Sequence, residues 1–222
     1  MVAFLRVELL APQLARYLDT LAAAPAGTPV EEDVRVSMEA LAAERGFPIV
    51  GPQVGRVLEL LARAVGARRV LELGSGFGYS AWWFARAVGE GGEVVLTEGS
   101  AERAGEAEAF LGRAGLLSRT RILVGDGLDL AARQAGPFDI VFNDVDKHAY
   151  PQAFEVARAL VRPGGLFLSD NMLWRGNVLP PAQEDATTAG VVELTRHLRS
   201  DPDFLTVLLP IRDGVTVSLR TR

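Results

Sequence analysis

The sequence predicts a doubly wound α/β sheet that finishes in an antiparallel hairpin and is preceded by N-terminal helices. Three observations carry this expectation. From Arg68 onward, short apolar runs alternate with amphipathic stretches of helix length, the pattern of a parallel sheet covered on both faces. The stretch Phe138 to Lys147 starts apolar and then packs three charges into its last four residues, as a buried parallel strand does where it leaves the core. Near the C-terminus, Phe204 to Leu209 and Val215 to Leu219 are separated by Pro210-Ile211-Arg212-Asp213-Gly214, and Asp-Gly between two apolar runs argues for a hairpin.

In chain order, residues 1–24 and 30–45 carry apolar side chains at helical spacing, with Pro25 to Pro29 between them. Gly46 supplies a stop for the second helix. Phe47 to Pro52 reads as an extended link into a third helix from about Gln53 to Val65. Five strands follow: Arg69 to Leu73, Glu93 to Glu98, Thr120 to Val124, the stretch ending at Asp144, and Gly165 to Asp170. The terminal hairpin adds two more. No internal repeat or low-complexity tract interrupts the pattern, so residues 1–222 read as one domain, with 1–52 as a helical extension and 53–222 as the sheet core.

Composition narrows the function. A chain of 222 residues with 49% hydrophobic and 23% charged content is long enough for one large core. Its 28 acidic and 23 basic residues give a net charge of −5 with no basic block, so neither a nucleic acid nor a membrane surface is expected as partner. A small molecule is the better expectation. With no cysteine and two histidines, disulfides and zinc sites are not expected, and any metal needs oxygen ligands. No leader pattern and no apolar run of about 18 residues is present, which reads as a cytoplasmic protein.

The first strand runs into Glu72-Leu73-Gly74-Ser75-Gly76-Phe77-Gly78-Tyr79-Ser80 and then a helix. Glycines there let the backbone approach a bound nucleoside, and the spacing differs from the G-x-G-x-x-G dinucleotide fingerprint. The second strand ends at Glu98, placed to accept hydrogen bonds from ribose hydroxyls. Asp126 and Gly127, past the third strand, share that edge and can meet the base, although Asp126 can equally cap the next helix. The fourth and fifth strands end at Asp144 and at Asp170-Asn171. Two carboxylates and an amide form an all-oxygen set suited to Mg²⁺, Ca²⁺ or Mn²⁺, with helix capping as the competing reading. The chain holds 22 arginines and one lysine, Lys147. Arginine does not give up its proton, whereas a lysine in a suitable site can act as a base. A structural lysine paired with Asp144 or Asp146 is the alternative.

The strings LELGSGFGYSA, FNDVDKHAY, RPGGLFLSDNMLWRGNV and LLPIRDGVTVSLR, together with Glu98, resemble the cation-dependent O-methyltransferases of the catechol and caffeoyl-CoA type. The similarity runs in order from about residue 35 to the C-terminus. It implies a Rossmann-like seven-stranded sheet with an antiparallel last strand, S-adenosylmethionine as cofactor, and a divalent cation on Asp144, Asp170 and Asn171. Lys147 becomes the base near the acceptor hydroxyl. Val50, Glu72, Ser80, Glu98, Gly127 and Asp144 fall at positions that contact the cofactor in that family, and Gly74, Gly76 and Asp126 belong to the same expected site. Two positions depart from the family pattern: Asn143 stands where the residue is usually apolar, and His148 follows the lysine in place of an acid or amide.

The expected reaction is methyl transfer to a hydroxyl of a small aromatic acceptor, with a homodimer as the usual assembly of such enzymes. Trp174 is a candidate wall for the acceptor ring, and Met172 reads as core. His197 reads as a surface residue. A nicotinamide-dependent oxidoreductase and a non-catalytic nucleoside-binding regulator are the alternatives. The missing glycine spacing and the terminal hairpin count against the first, and the intact Lys147 and acid-acid-amide set count against the second.

Overall fold

The computed structural model describes residues 11–22, 27–180 and 184–222. Helix α1 (Pro12–Ala22) and helix α2 (Pro29–Arg45) precede the sheet. The remainder of the first expected helix, residues 1–10 and 23–24, lies outside the described residues. Thr28 caps α2 through a reciprocal box with Glu31, and Gly46 ends it in a left-handed conformation (φ 62°), as the glycine stop predicts. Helix α3 (Gly51–Ala64) begins two residues earlier than expected, because Pro52 is a good first-turn residue that needs no amide partner.

Alternation then gives β1 (Arg69–Leu73), α4 (Tyr79–Val88), β2 (Glu93–Glu98), α5 (Ala101–Arg113), β3 (Thr120–Val124), α6 (Gly127–Ala132), β4 (Phe138–Asn143), α7 (Tyr150–Leu160), β5 (Val161–Ser169), α8 (Ala186–Ser200), β6 (Phe204–Leu209) and β7 (Val215–Arg220). The seven strands lie in the order β3-β2-β1-β4-β5-β7-β6. β1 to β5 pair in parallel, and β7 is antiparallel to both β5 and β6. Strand β5 starts at Val161, earlier than expected, because Val161 pairs with Phe138 ahead of a register shift. It ends at Ser169, so Asp170 stands just outside the ladder.

Both faces of the sheet are covered, which explains why its central strands read as continuous apolar runs. Val70, Ile140 and Phe142 pack with Val54, Leu58, Trp82 and Phe84 from α3 and α4. Leu71, Leu73 and Val141 point the other way, against Phe154 of α7 and Val191 and Leu194 of α8. Strand order reverses between β1 and β4, the place in such sheets where ligands bind beyond the carboxyl ends. Among the described residues no helix is long and apolar enough to cross a membrane.

Candidate active site

A cleft of about 500 Å³ opens at this reversal, walled by the segments that follow β1, β2, β3, β4 and β5 and by the link before α3. Of the expected site residues, Val50, Gly74, Gly76, Ser80, Glu98, Asp126, Gly127, Asp144, Lys147, Asp170 and Asn171 all line it. Glu72 is the exception: it is fully buried behind the wall. Its carboxylate accepts hydrogen bonds from Ser75 Oγ at 2.7 Å and from Ser80 Oγ, so it shapes the glycine turn from beneath. Burial pushes the Glu72 carboxyl up to about 7, against the lowering effect of the two serines.

Two of the turn's glycines are required by close approach. Gly74 has φ 78°, and a Cβ there would stand 2.8 Å from the Asp144 carbonyl oxygen. A Cβ on Gly76 would meet the Phe47 ring at 2.9 Å. The Gly76 amide donates to Glu98 Oε2 at 2.8 Å, and Glu98 Oε1 accepts from the Ser100 amide at 2.8 Å and from Arg103 Nε at 2.9 Å. Asp126 does cap α6, accepting from the Leu128 and Asp129 amides with one carboxylate oxygen, and it lines the cleft as well. The two readings of Asp126 are therefore compatible.

At the other end of the cleft, the last paired residues of β4 and β5 are Asn143 and Ser169, and Asp144 and Asp170 each follow by one residue. Asn143 is fully buried. Its Nδ2 donates to Ser169 Oγ at 2.9 Å, and its carbonyl accepts from the Asp170 amide at 3.2 Å. The side chain thus ties the two strand ends together through Nδ2, the second bond being one that any main-chain carbonyl supplies, while Asn143 Oδ1 is buried with no hydrogen-bond partner among the described residues. Neither Asp144 nor Asp170 caps a helix with its side chain; the caps of the helices that follow are Asp146, Ala149 and Leu173, none with a side-chain bond.

The electrostatics of this end are unbalanced. Burial raises the Asp170 carboxyl to about 7, and repulsion from Asp144 adds to it. Asp144 is also raised by burial, opposed by Lys147. Asp170 Oδ1 is buried without a hydrogen-bond partner among the described residues, a situation that native structures tolerate only rarely. Lys147 Nζ donates to Asp144 Oδ1 at 2.9 Å and sits 5.4 Å from the Tyr150 ring centroid and 5.9 Å from that of Trp174. Among the described residues no cluster of three or more His, Cys, Asp or Glu forms a metal site; the set here is two acids and one amide. Two acidic groups short of positive charge, one with an unclaimed buried oxygen, fit a hard divalent cation. Met172 is core, with 1% exposure. His197 pairs with Glu193 on α8 at 3.0 Å and is not part of the cleft lining.

A family profile described as O-methyltransferase matches residues 31–221. The chain belongs to the O-methyltransferase family. A catechol O-methyltransferase of Niastella koreensis is 37% identical over 166 residues, covering 72% of this chain and 75% of that protein. A catechol O-methyltransferase of Mycobacterium tuberculosis is 40% identical over 150 residues, covering 67% of this chain and 68% of that protein. Among solved structures, an O-methyltransferase of Bacillus cereus in complex with S-adenosylhomocysteine (SAH) superposes with TM-score 0.82 at 29% identity, covering 94% and 97% of the two chains. An O-methyltransferase of Streptomyces achromogenes in complex with S-adenosylmethionine superposes with TM-score 0.81 at 29% identity over the full length of both. The protein is thus a class I S-adenosylmethionine-dependent O-methyltransferase, which sets aside the oxidoreductase and the non-catalytic regulator.

Phe47, Thr97, Arg103 and Tyr79 also line the cleft and were not singled out from the sequence. Thr97 had a readable signal, since it stands one residue before Glu98 at the end of β2; its Oγ1 accepts from the Gly74 amide at 3.2 Å. Phe47 and Arg103 carried none.

Proposed function

We propose that this enzyme transfers a methyl group to a hydroxyl of a small aromatic, catechol-like acceptor, with a divalent cation held by Asp144, Asp170 and Asn171 and with Lys147 as the base. The observation that carries the reading is the unpartnered, buried Asp170 Oδ1 beside Asp144, with the chain's one lysine directly adjacent.

In this reading Glu98 receives the ribose hydroxyls, Gly74 and Gly76 let the backbone close on the nucleoside, and Val50 and Ser80 bound the same space. Asp126 and Gly127 stand at the base end. Glu72 acts indirectly, by holding Ser75 and Ser80. S-adenosylmethionine supplies the methyl group. The cation, when bound, supplies Lewis acidity that lowers the pKa of an acceptor hydroxyl. Lys147 Nζ takes the proton, and its place between Asp144 and the Tyr150 and Trp174 rings holds the nitrogen at the acceptor end of the cleft. Trp174 forms a wall for the aromatic ring. Residues 1–222 act as one domain, and the assembly is a homodimer, a reading supported by Leu205 and Val207 left exposed on the edge strand β6.

Transfer of a labelled methyl group from S-adenosylmethionine to catechol, caffeate and mono-hydroxylated controls, with and without EDTA, tests the reading. Transfer to the vicinal diols that stops on chelation and returns with Mg²⁺ or Mn²⁺ is expected. Undiminished transfer after exhaustive chelation contradicts the cation role, and transfer to mono-hydroxylated acceptors alone contradicts the acceptor.

A further inference from the structure

Among the described residues, four non-glycine positions have left-handed backbone: Asn171 (φ 58°), Trp174 (φ 45°), Arg175 (φ 54°) and Arg212 (φ 51°). Side chains other than glycine disfavour this region, so such residues persist only where their surroundings hold them. Three of the four occur within 171–175, the segment that carries the amide expected to face the metal and the ring expected to face the acceptor. The fourth lies in the β6–β7 turn.

That turn is what holds the segment. The Met172 amide donates to the Gly214 carbonyl at 2.9 Å and the Leu173 amide to the Asp213 carbonyl at 2.8 Å. The Arg175 amide donates to Asp213 Oδ1 at 2.6 Å. A Cβ on Gly214 would stand 2.6 Å from Leu173 Cγ and 3.0 Å from the Leu173 nitrogen, so the two loops meet flush. The turn has its own closing bond, from the Gly214 amide to the Ile211 carbonyl. The Asp213 carboxylate is therefore not spent on the hairpin that the Asp-Gly pair announces; it reaches across to a different loop.

We propose that Asp213 is a positioning residue for methyl transfer: through its bond to the Arg175 amide it keeps 171–175 in its left-handed turn and so sets where Asn171 and Trp174 stand. The inference rests on the reading of Asn171 as a cation ligand and Trp174 as an acceptor wall. Asp213 is not among the residues that line the cleft. Two of the three inter-loop bonds are accepted by main-chain carbonyls, of Asp213 and Gly214, which any residue supplies, and the Asp213 side chain accepts the one at the far end of the segment. Without it, Trp174 and Arg175 lose the restraint nearest to them and the turn relaxes toward ordinary backbone.

The test compares Asp213→Ala with Asp213→Asn in the full chain. Two quantities are read without acceptor present: Mn²⁺ affinity, from the free-ion signal in electron paramagnetic resonance, and acrylamide quenching of tryptophan fluorescence. The chain has three tryptophans, and Trp82 and Trp83 are fully buried, so quenching reports on Trp174. Asp213→Ala is expected to weaken Mn²⁺ binding about 10-fold or more, the usual effect of removing a group that orients a metal ligand, and to raise quenching. Asp213→Asn is expected to stay close to wild type, because its amide oxygen accepts the same bond. SAH affinity, measured by calorimetry, should be unchanged in both. Wild-type Mn²⁺ affinity and quenching in Asp213→Ala overturn the proposal, as does an Asp213→Asn protein impaired as badly as Asp213→Ala, since charge and not the hydrogen bond would then be acting. If wild type binds no Mn²⁺, the cation reading fails by itself; the quenching comparison still decides whether Asp213 holds the segment.

Discussion

Gly190 of α8 offers a way to move Lys147 without touching it. A Cβ at position 190 would lie 2.1 Å from the Lys147 carbonyl oxygen and 2.9 Å from the carbonyl carbon of Lys147 and the Cα of His148. All three are main-chain atoms, so no flexible side-chain tip can swing aside. Gly190→Ala must therefore push the helix and the 147–149 turn apart by roughly 1 Å, and a displacement of that size at a reacting group typically lowers turnover about 10²-fold. The helix resists, because Thr188, Val191 and Leu194 around Gly190 are fully buried, so much of the movement falls on the turn. Overpacking of this kind also lowers stability by about 1–3 kcal/mol. The cofactor half of the cleft is built from the ends of β1, β2 and β3 and should be spared. The expected result is a kcat fall of about two orders of magnitude, with SAH affinity near wild type by calorimetry and a reduced melting temperature. A variant that melts like wild type and turns over within a factor of about two of it would show that the contact does not set the position of Lys147.

Three further outcomes follow from the same geometry. Lys147→Arg should keep the ion pair to Asp144 and the cofactor affinity yet lose about 10²- to 10⁴-fold in kcat, because a guanidinium cannot accept the acceptor's proton; steady-state kinetics showing near-normal turnover would remove Lys147 as the base. Adding Mn²⁺ or Mg²⁺ should raise the wild-type melting temperature by mass action, whereas Asp170→Ala should lose that shift; an equal shift in both proteins by scanning fluorimetry would exclude Asp170 as a ligand. Glu72 gives a pH signature. Its carboxyl is held near 7 in the folded protein against an ordinary value of 4.5, so the folded state keeps a proton that the unfolded chain releases. The associated stability is complete below about pH 4.5 and is lost as pH rises through 7. Glu72→Gln should flatten this decline, gaining on wild type by about 3 kcal/mol between pH 5 and 8; identical pH slopes in urea denaturation would contradict it.

Much of this protein could be read locally, and for a physical reason. A strand buried on both faces must be apolar along its length and must stop where the chain meets water, so the bounds of β1 and β2 stand out as runs ended by glycine or charge, while the half-exposed edge strands β3 and β6 are bounded by the glycine and the proline that follow them. Gly46 and Asp213-Gly214 mark a helix stop and a hairpin because few residues other than glycine adopt positive φ readily. Residues at the carboxyl ends of such strands gather at one edge whatever lies between them. That rule puts Glu98, Asp126, Asp144, Asp170 and Asn171 at one edge, and all five line the cleft there.

Tertiary structure decided what depends on contacts between segments far apart in sequence. The family resemblance puts Glu72 among the cofactor contacts, whereas strand alternation and the hydrogen bonds from Ser75 and Ser80 place its carboxylate behind the cleft wall. Arg103 and Phe47 carry no local mark; they reach the cleft because α5 and the link before α3 pack beside β2 and the glycine turn. The second duty of Asp213 and the need for glycine at position 190 were equally hidden, since each is set by a neighbour on another element: the Arg175 amide in one case and the Lys147 carbonyl in the other. Periodicity and turn chemistry report a residue's own backbone and its nearest neighbours, whereas these roles arise only when the packed sheet and helices bring distant backbone atoms within contact.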